Sequence, residues 1–95
     1  MLKSKENEIL LITQEECAEV TQAISKIFRF GLSAKHPERT FNNRHHLEEE
    51  LGDLACMISL MVENGLVQES NIQLAAERKR MKLEKWSSIF KRSEE

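Results

Sequence analysis

The chain is poor in the residues that build turns, sheets and aromatic cores. It has no tyrosine, one proline, one tryptophan, three glycines and four phenylalanines among 95 residues, while leucine, isoleucine, methionine, alanine, glutamate and lysine are abundant. This balance disfavours strands and favours helices. The length allows a single domain, residues 1–95, with a modest core, so additional burial by self-association is expected.

Three further absences limit the possible functions. No apolar run approaches the roughly 20 residues that a membrane-spanning helix needs, and the N-terminus does not resemble a signal peptide. The net charge is −2, whereas a nucleic-acid-binding protein normally has an excess of basic residues. Cys17 and Cys56 form no CxxC pair and lie in apolar stretches, which predicts reduced core thiols. We therefore expect a soluble, cytoplasmic protein that binds neither membrane nor nucleic acid.

Capping residues and hydrophobic periodicity predict three helices. Their expected bounds are residues 4 or 13 to 30, about 43 to 63, and 71 to about 90, followed by a frayed tail at about 91–95. The short turn at residues 64–69 predicts that the second and third helices are antiparallel neighbours. The predicted fold is all-α: an antiparallel helical bundle of three main helices, completed by dimerisation.

Each of the first two helices has an apolar stripe, and each stripe contains a pair of acids. The expected stripes are Cys17, Val20, Ile24, Ile27 and Phe28 on the first helix, and Leu47, Leu51, Leu54, Met57, Ile58 and Met61 on the second. Glu16 and Glu19 are three residues apart beside the first stripe, and Glu50 and Asp53 are three apart in the second. If the stripes pack together, these carboxylates converge.

Converging buried carboxylates must share protons, pair with cations or bind a metal. Oxygen ligands of this kind suit Mg²⁺, with Mn²⁺ as a possible substitute. Two alternatives remain open at this point. The acids could be ordinary solvated surface charge, or His46 and Cys56 could join them in a mixed zinc site.

The acidic motifs carry a family resemblance. "EECAE" at residues 15–19, followed by "ELGD" at residues 50–53, resembles the E-E-x-x-E and E-x-x-D signature of the MazG-like all-α nucleoside triphosphate pyrophosphohydrolases. The surrounding sequences, "EECAEVTQAI" and "LEEELGDLACMISLM", are similar as well. The resemblance extends over roughly residues 10–65 and is looser in the third helix.

The resemblance implies an activity and a set of roles. Members of this family cleave a nucleoside triphosphate to the monophosphate and pyrophosphate with Mg²⁺, and they form helical dimers or tetramers. By this resemblance Glu16, Glu19, Glu50 and Asp53 are metal ligands, and Glu15 is a base or a group that orients water. Two alternatives are a phosphoribosyl-ATP pyrophosphohydrolase of the same superfamily and a non-enzymatic oligomerisation or adaptor module.

Basic residues are needed beside a metal to bind phosphate. The candidates are Lys26 and Arg29 on the first helix and Lys79 and Lys82 in the basic cluster of the third. The third-helix cluster is equally explained as a solvated helix end. Trp86 and Phe90 are expected in the core or at a subunit interface, and His45 and His46 at an exposed helix start.

Overall fold

The computed structural model describes residues 1–91 and contains three helices and no strand in that range. Helix α1 is Ser4–Phe30, α2 is Asn43–Glu63 and α3 is Glu69–Trp86. The predicted all-α class is confirmed. The predicted tail falls largely on residues 92–95, which lie outside the described residues.

Helix α1 begins at the earlier of its two expected starts. The Glu6 carboxylate accepts a hydrogen bond from the backbone N–H of Lys3 at 2.9 Å, which satisfies one free donor of the first turn. The Thr13 hydroxyl donates to the carbonyl of Ile9 at 2.7 Å, one turn earlier, so Thr13 lies inside the helix and does not cap it. Gly31 ends the helix at φ +101°, a conformation open to glycine.

Helix α2 has the predicted bounds, whereas α3 differs at both ends. The Asn42 side chain caps α2 by accepting from His45 N–H at 3.0 Å. Helix α3 begins at Glu69 rather than after Ser70, and it ends at Trp86 rather than near Phe90. It ends early because Ser87 is extended and its hydroxyl oxygen accepts from Ile89 N–H at 3.1 Å, a local turn that competes with the helix.

Helices α1 and α2 form an antiparallel pair. At one end, the Asn43 side chain donates to the carbonyl of Gly31 at 2.9 Å, and Arg44 N–H donates to the Leu32 carbonyl at 2.9 Å. At the other end, Ile9 near the start of α1 and Met57 in the second half of α2 line one groove. The loop of residues 31–42 therefore returns the chain directly along α1.

The packed faces contain only part of the predicted stripes. The buried apolar residues are Ile9, Ala23 and Met57. Cys17 and Cys56 are exposed, so the prediction of core thiols is wrong. Several other members of the predicted stripes are exposed as well: Ile24, Phe28, Leu51 and Ile58. Because one helical position is a rotation of about 100°, each of these apolar residues, which follows a packed or half-buried residue by one position, turns outward.

Helix α3 does not lie along either of the other helices, so the expected antiparallel packing of α3 on α2 is not formed within the chain. None of its residues is buried. The molecule is a slab about 16 Å in its shortest dimension, which is close to the thickness of one layer of helices. None of the helices in residues 1–91 has both the length and the hydropathy of a membrane crossing.

Candidate metal and phosphate site

Three carboxylates meet at mid-height of the α1–α2 pair. Glu16 from α1 and Glu50 and Asp53 from α2 each offer an oxygen, and these oxygens lie within 4.8 Å of one another. The three-residue step places Glu50 and Asp53 side by side on α2, and the antiparallel packing brings Glu16 opposite them. The predicted convergence of these three residues is present.

The Glu16 carboxylate is the most constrained of the three. Its Oε2 atom is buried and has no hydrogen-bond partner. The pKa of Glu16 is raised from its ordinary value of 4.5, first because burial disfavours the anion and then because of repulsion from Asp53, Glu50, Glu19 and Glu15. This carboxylate is thus held in a place that disfavours its charge.

Glu19 and Glu15 lie at the edge of this cluster. Both are exposed on α1, and neither belongs to the group of three oxygens. Each is nevertheless close enough for its charge to raise the pKa of Glu16. The structure therefore brings three of the four predicted ligands together and leaves Glu19 beside them.

His46 adjoins the cluster, although the sequence suggested only an exposed helix start. It is buried, and its Nε2 atom lies 3.3 Å from Oε1 of Glu50. Its Nδ1 atom lies 3.1 Å from Arg39 in the loop. The available signal was its position four residues before Glu50, on the same helical face. His45, in contrast, is exposed and contacts Glu48 and Glu49, as expected for a surface residue.

A basic cavity opens at the loop end of the pair, with a volume of about 860 Å³. Lys26 and Arg29 of α1 line it, as two predicted phosphate-binding residues. The loop adds Lys35, His36 and Arg39 to the lining of the cavity, and it also adds one acid, Glu38. The positive charges in the lining therefore outnumber the negative charge. Lys26 is seven residues after Glu19, about 10 Å along the helix.

The other predicted basic residues are elsewhere. Lys79 and Lys82 are exposed on α3, which does not pack on the α1–α2 pair. Trp86 is also exposed, so it is not a core residue within one chain. The group of converging ligand atoms includes neither a nitrogen of His46 nor the sulfur of Cys56, which argues against the mixed zinc alternative.

The donor set fits a hard divalent cation. The three carboxylate oxygens are close enough together to bind one cation, and Glu16 has a buried oxygen without a hydrogen-bond partner. Among residues 1–91 the ion pairs that form involve histidine, and none links this cluster to lysine or arginine. An all-oxygen, uncompensated anionic site is typical of Mg²⁺ or Mn²⁺.

Comparison with known families gives one finding. The family model described as the MazG nucleotide pyrophosphohydrolase domain matches residues 4–87, which includes all three helices and every residue of the cluster. Comparison with the curated proteins and with the solved structures gives no match.

Proposed function

Since the chain belongs to the MazG nucleotide pyrophosphohydrolase family, we propose that it is a Mg²⁺-dependent hydrolase that converts a nucleoside triphosphate to the monophosphate and pyrophosphate. The observation that carries this proposal is the carboxylate cluster of Glu16, Glu50 and Asp53. Its uncompensated charge and the unpartnered Glu16 oxygen are explained by a bound cation. We propose nucleotide pool cleansing as its role.

Glu16, Glu50 and Asp53 would hold the cation, and Glu19 would complete the set after a side-chain rotation. Bound Mg²⁺ neutralises phosphate charge and lowers the pKa of a coordinated water molecule; Mn²⁺ serves as a substitute. Glu15 is exposed next to Glu16 and would accept a hydrogen bond from the attacking water.

The basic cavity would bind the phosphate chain. Lys26 and Arg29 extend from α1 into it, and Arg39 reaches it from the loop. Their charges would stabilise the negative charge that accumulates on the leaving pyrophosphate. Water attacks the α-phosphorus, the bond from that phosphorus to the α–β bridging oxygen breaks, and the electron pair leaves with pyrophosphate while the water's proton passes to a base.

Lys79 and Lys82 would act on phosphate only in an assembly of chains. They lie on α3, which does not pack along the α1–α2 pair in the single chain. We therefore include a homo-oligomer, dimer or tetramer, in the proposal, with α3 of one copy beside the site of another.

The direct test is a substrate panel. The protein is incubated with Mg²⁺ and each common ribo- and deoxyribonucleoside triphosphate, together with phosphoribosyl-ATP, and pyrophosphate and orthophosphate are measured separately. Pyrophosphate without orthophosphate supports the proposal, and the best substrate assigns the subfamily. Orthophosphate release would contradict α–β cleavage. No turnover of any compound would favour an adaptor module.

Glu50→Gln and Asp53→Asn test the site itself. We expect each to reduce turnover by more than about 100-fold, because even the residues that only orient metal ligands contribute about 10- to 100-fold. The matched control is Glu48→Gln, which changes an exposed acid on the same helix. Far-UV circular dichroism checks that each variant stays helical. Retained activity in Glu50→Gln would contradict the carboxylate site.

A further inference from the structure

His46 occupies a position that the proposed chemistry does not itself require. It lies on the packed face of α2, where its side chain is 11% exposed and that of Glu50 is 14% exposed. Its Nε2 atom is 3.3 Å from Glu50 Oε1. Contact between a buried imidazole and a half-buried carboxylate restricts the rotation of both side chains. His46 thus limits the direction in which Glu50 can present its oxygens.

Arg39 determines which nitrogen of His46 carries the proton. Its guanidinium nitrogen lies 3.1 Å from His46 Nδ1. Guanidinium is always charged in proteins and only donates hydrogen bonds, so Nδ1 must accept with its lone pair. The neutral ring then has its hydrogen on Nε2, the nitrogen that faces Glu50. Arg39 and Glu50 are therefore connected through one imidazole ring with a defined tautomer.

Phe41 holds this arrangement from the loop side. Its ring centroid is 6.2 Å from that of His46, and the Arg39 guanidinium carbon lies 5.6 Å from the Phe41 ring centroid. A cation over an aromatic face is stabilised by the ring quadrupole. Phe41 contacts both partners, and this packing keeps the guanidinium beside the imidazole.

We propose that Arg39 and His46 are positioning residues: Arg39 fixes His46 as the Nε2–H tautomer, and this N–H holds one Glu50 oxygen so that the carboxylate is oriented to bind the cation. The inference rests on the proposed function, because it assigns Glu50 a metal-binding role. Arg39 also lines the basic cavity, so the same side chain joins the phosphate-binding loop to the carboxylate cluster.

The tautomer is measured on the metal-free protein. Long-range ¹H–¹⁵N correlation spectra distinguish the two ring nitrogens, and the loss of one spin system in His46→Gln identifies His46 among the three histidines. We expect the Nε2–H tautomer in the wild type. Arg39→Ala should lose this preference, and Arg39→Lys, which keeps a charged donor, should retain more of it. If His46 of the wild-type protein at neutral pH is the Nδ1–H tautomer or has a protonated ring, the inference is overturned.

Mn²⁺ affinity, measured by electron paramagnetic resonance without substrate, supplies the second readout. His46→Leu removes the N–H donor that faces Glu50. The Mn²⁺ affinity of this variant should fall about 10- to 100-fold, as for other residues that orient metal ligands. His46→Gln keeps an N–H donor at similar reach and should recover most of the affinity. His45→Leu is the matched control on the exposed side and should bind like the wild type. Equal affinity in His46→Leu and wild type would overturn the inference.

The two readouts separate this inference from the proposed function. A wild-type protein that binds no Mn²⁺ would overturn the proposed metal site and, with it, the metal-binding role of Glu50. A wild type that binds Mn²⁺ while His46 is the Nδ1–H tautomer would overturn the positioning role alone. Arg39→Ala changes a half-buried loop residue, so it provides the affinity test if His46→Leu fails to fold.

Discussion

At the scale of single residues, Glu16 illustrates how a binding site opposes the stability of the chain that carries it. Its Oε2 atom is buried without a partner, and four acids raise its pKa together with burial. An uncompensated buried acid destabilises the folded state when it is ionised. The same arrangement favours a cation, because the cation supplies the missing partner. Stability and metal binding therefore depend on the same atom.

We predict that Glu16→Gln raises the melting temperature of the metal-free protein at neutral pH and abolishes the further rise that Mg²⁺ or Mn²⁺ gives the wild type. The amide keeps the size of the side chain but carries no charge, so repulsion from Asp53 and Glu50 is lost. Thermal unfolding in a chelator and then with added metal measures both effects. A variant less stable than the wild type in chelator would contradict this prediction.

The effect should depend on pH in a defined direction. Because the pKa of Glu16 is higher in the folded chain, the folded state binds more protons than the unfolded state between the ordinary value of 4.5 and the raised value. The unfolding free energy of the wild type therefore falls as pH rises through this interval. The difference between Glu16→Gln and wild type should be smallest below pH 4.5, where the acid is protonated in both states, and should grow as pH rises through this interval. Glu77→Gln, an exposed change on α3, should show no such difference.

The sequence was sufficient to find the carboxylates but not the residues that orient them. Glu16, Glu50 and Asp53 were identified because acids recur at helical spacing beside apolar residues. His46 was not, since a histidine near a helix start is ordinarily exposed and its burial depends on contacts made by the loop. Arg39 lies seven residues away in that loop, and no periodicity relates a loop residue to a helix face.

At the scale of elements, the loop between α1 and α2 starts from one unusual backbone conformation. Gly31 has φ +101° and ψ 156°, a region that is essentially limited to glycine. Its carbonyl accepts from the Asn43 side chain at 2.9 Å, and Asn43 is buried at the start of α2. The turn therefore sets the position of α2, three residues before His46.

We predict that Gly31→Ala destabilises the protein by about 1–3 kcal/mol through backbone strain. Steric crowding is not the cause, since a Cβ atom at this position meets nothing within 4 Å. Gly52→Ala is the matched control, because Gly52 lies inside α2, where alanine is favoured, and its Cβ position is also open. Urea unfolding compares the two variants. Equal stability of Gly31→Ala and wild type would contradict the strain.

Helix bounds were predicted better than helix faces, and the reason is physical. Helix-ending residues act locally, so the ends at Gly31 and Asn64 could be recognised in the sequence. The expected stripes included every apolar residue at helical spacing, so they contained packed residues such as Met57 together with exposed residues such as Ile58. Glu16 and Glu50 were expected at the packed face and are half-buried there, whereas the burial of His46 was not expected.

At the scale of the whole molecule, the exposed members of the predicted stripes define an apolar surface. Each follows an inward residue by one position: Ile24 after Ala23, Phe28 after Ile27, Leu51 after Glu50, and Ile58 after Met57. Because α1 and α2 are antiparallel, the same angular step turns both sets toward the same side of the pair. The slab therefore has one apolar side, formed by these four exposed side chains.

We predict that the protein is a dimer or tetramer in solution and that the apolar side forms part of the contact. An exposed apolar surface on so thin a slab is costly in water, and a second copy provides a matching surface. Light scattering after gel filtration measures the mass. Phe28→Glu places a charge at a side chain that is 85% exposed in the single chain, and we expect it to yield monomers.

The matched control is Gln22→Glu, which adds the same charge to an exposed position of α1 about 120° around the helix from Phe28. It should leave the mass unchanged.

The unfolding midpoint of the wild type should rise with protein concentration, whereas that of Phe28→Glu should not, because association stabilises only the folded chains that pair. If Phe28→Glu also lost pyrophosphate release while keeping Mn²⁺ affinity, the carboxylates of one chain would suffice for the cation and the partner would be needed for the phosphates. A wild-type protein that is monomeric and fully active would contradict the contact between copies. It would also contradict phosphate binding by Lys79 and Lys82 of a second copy.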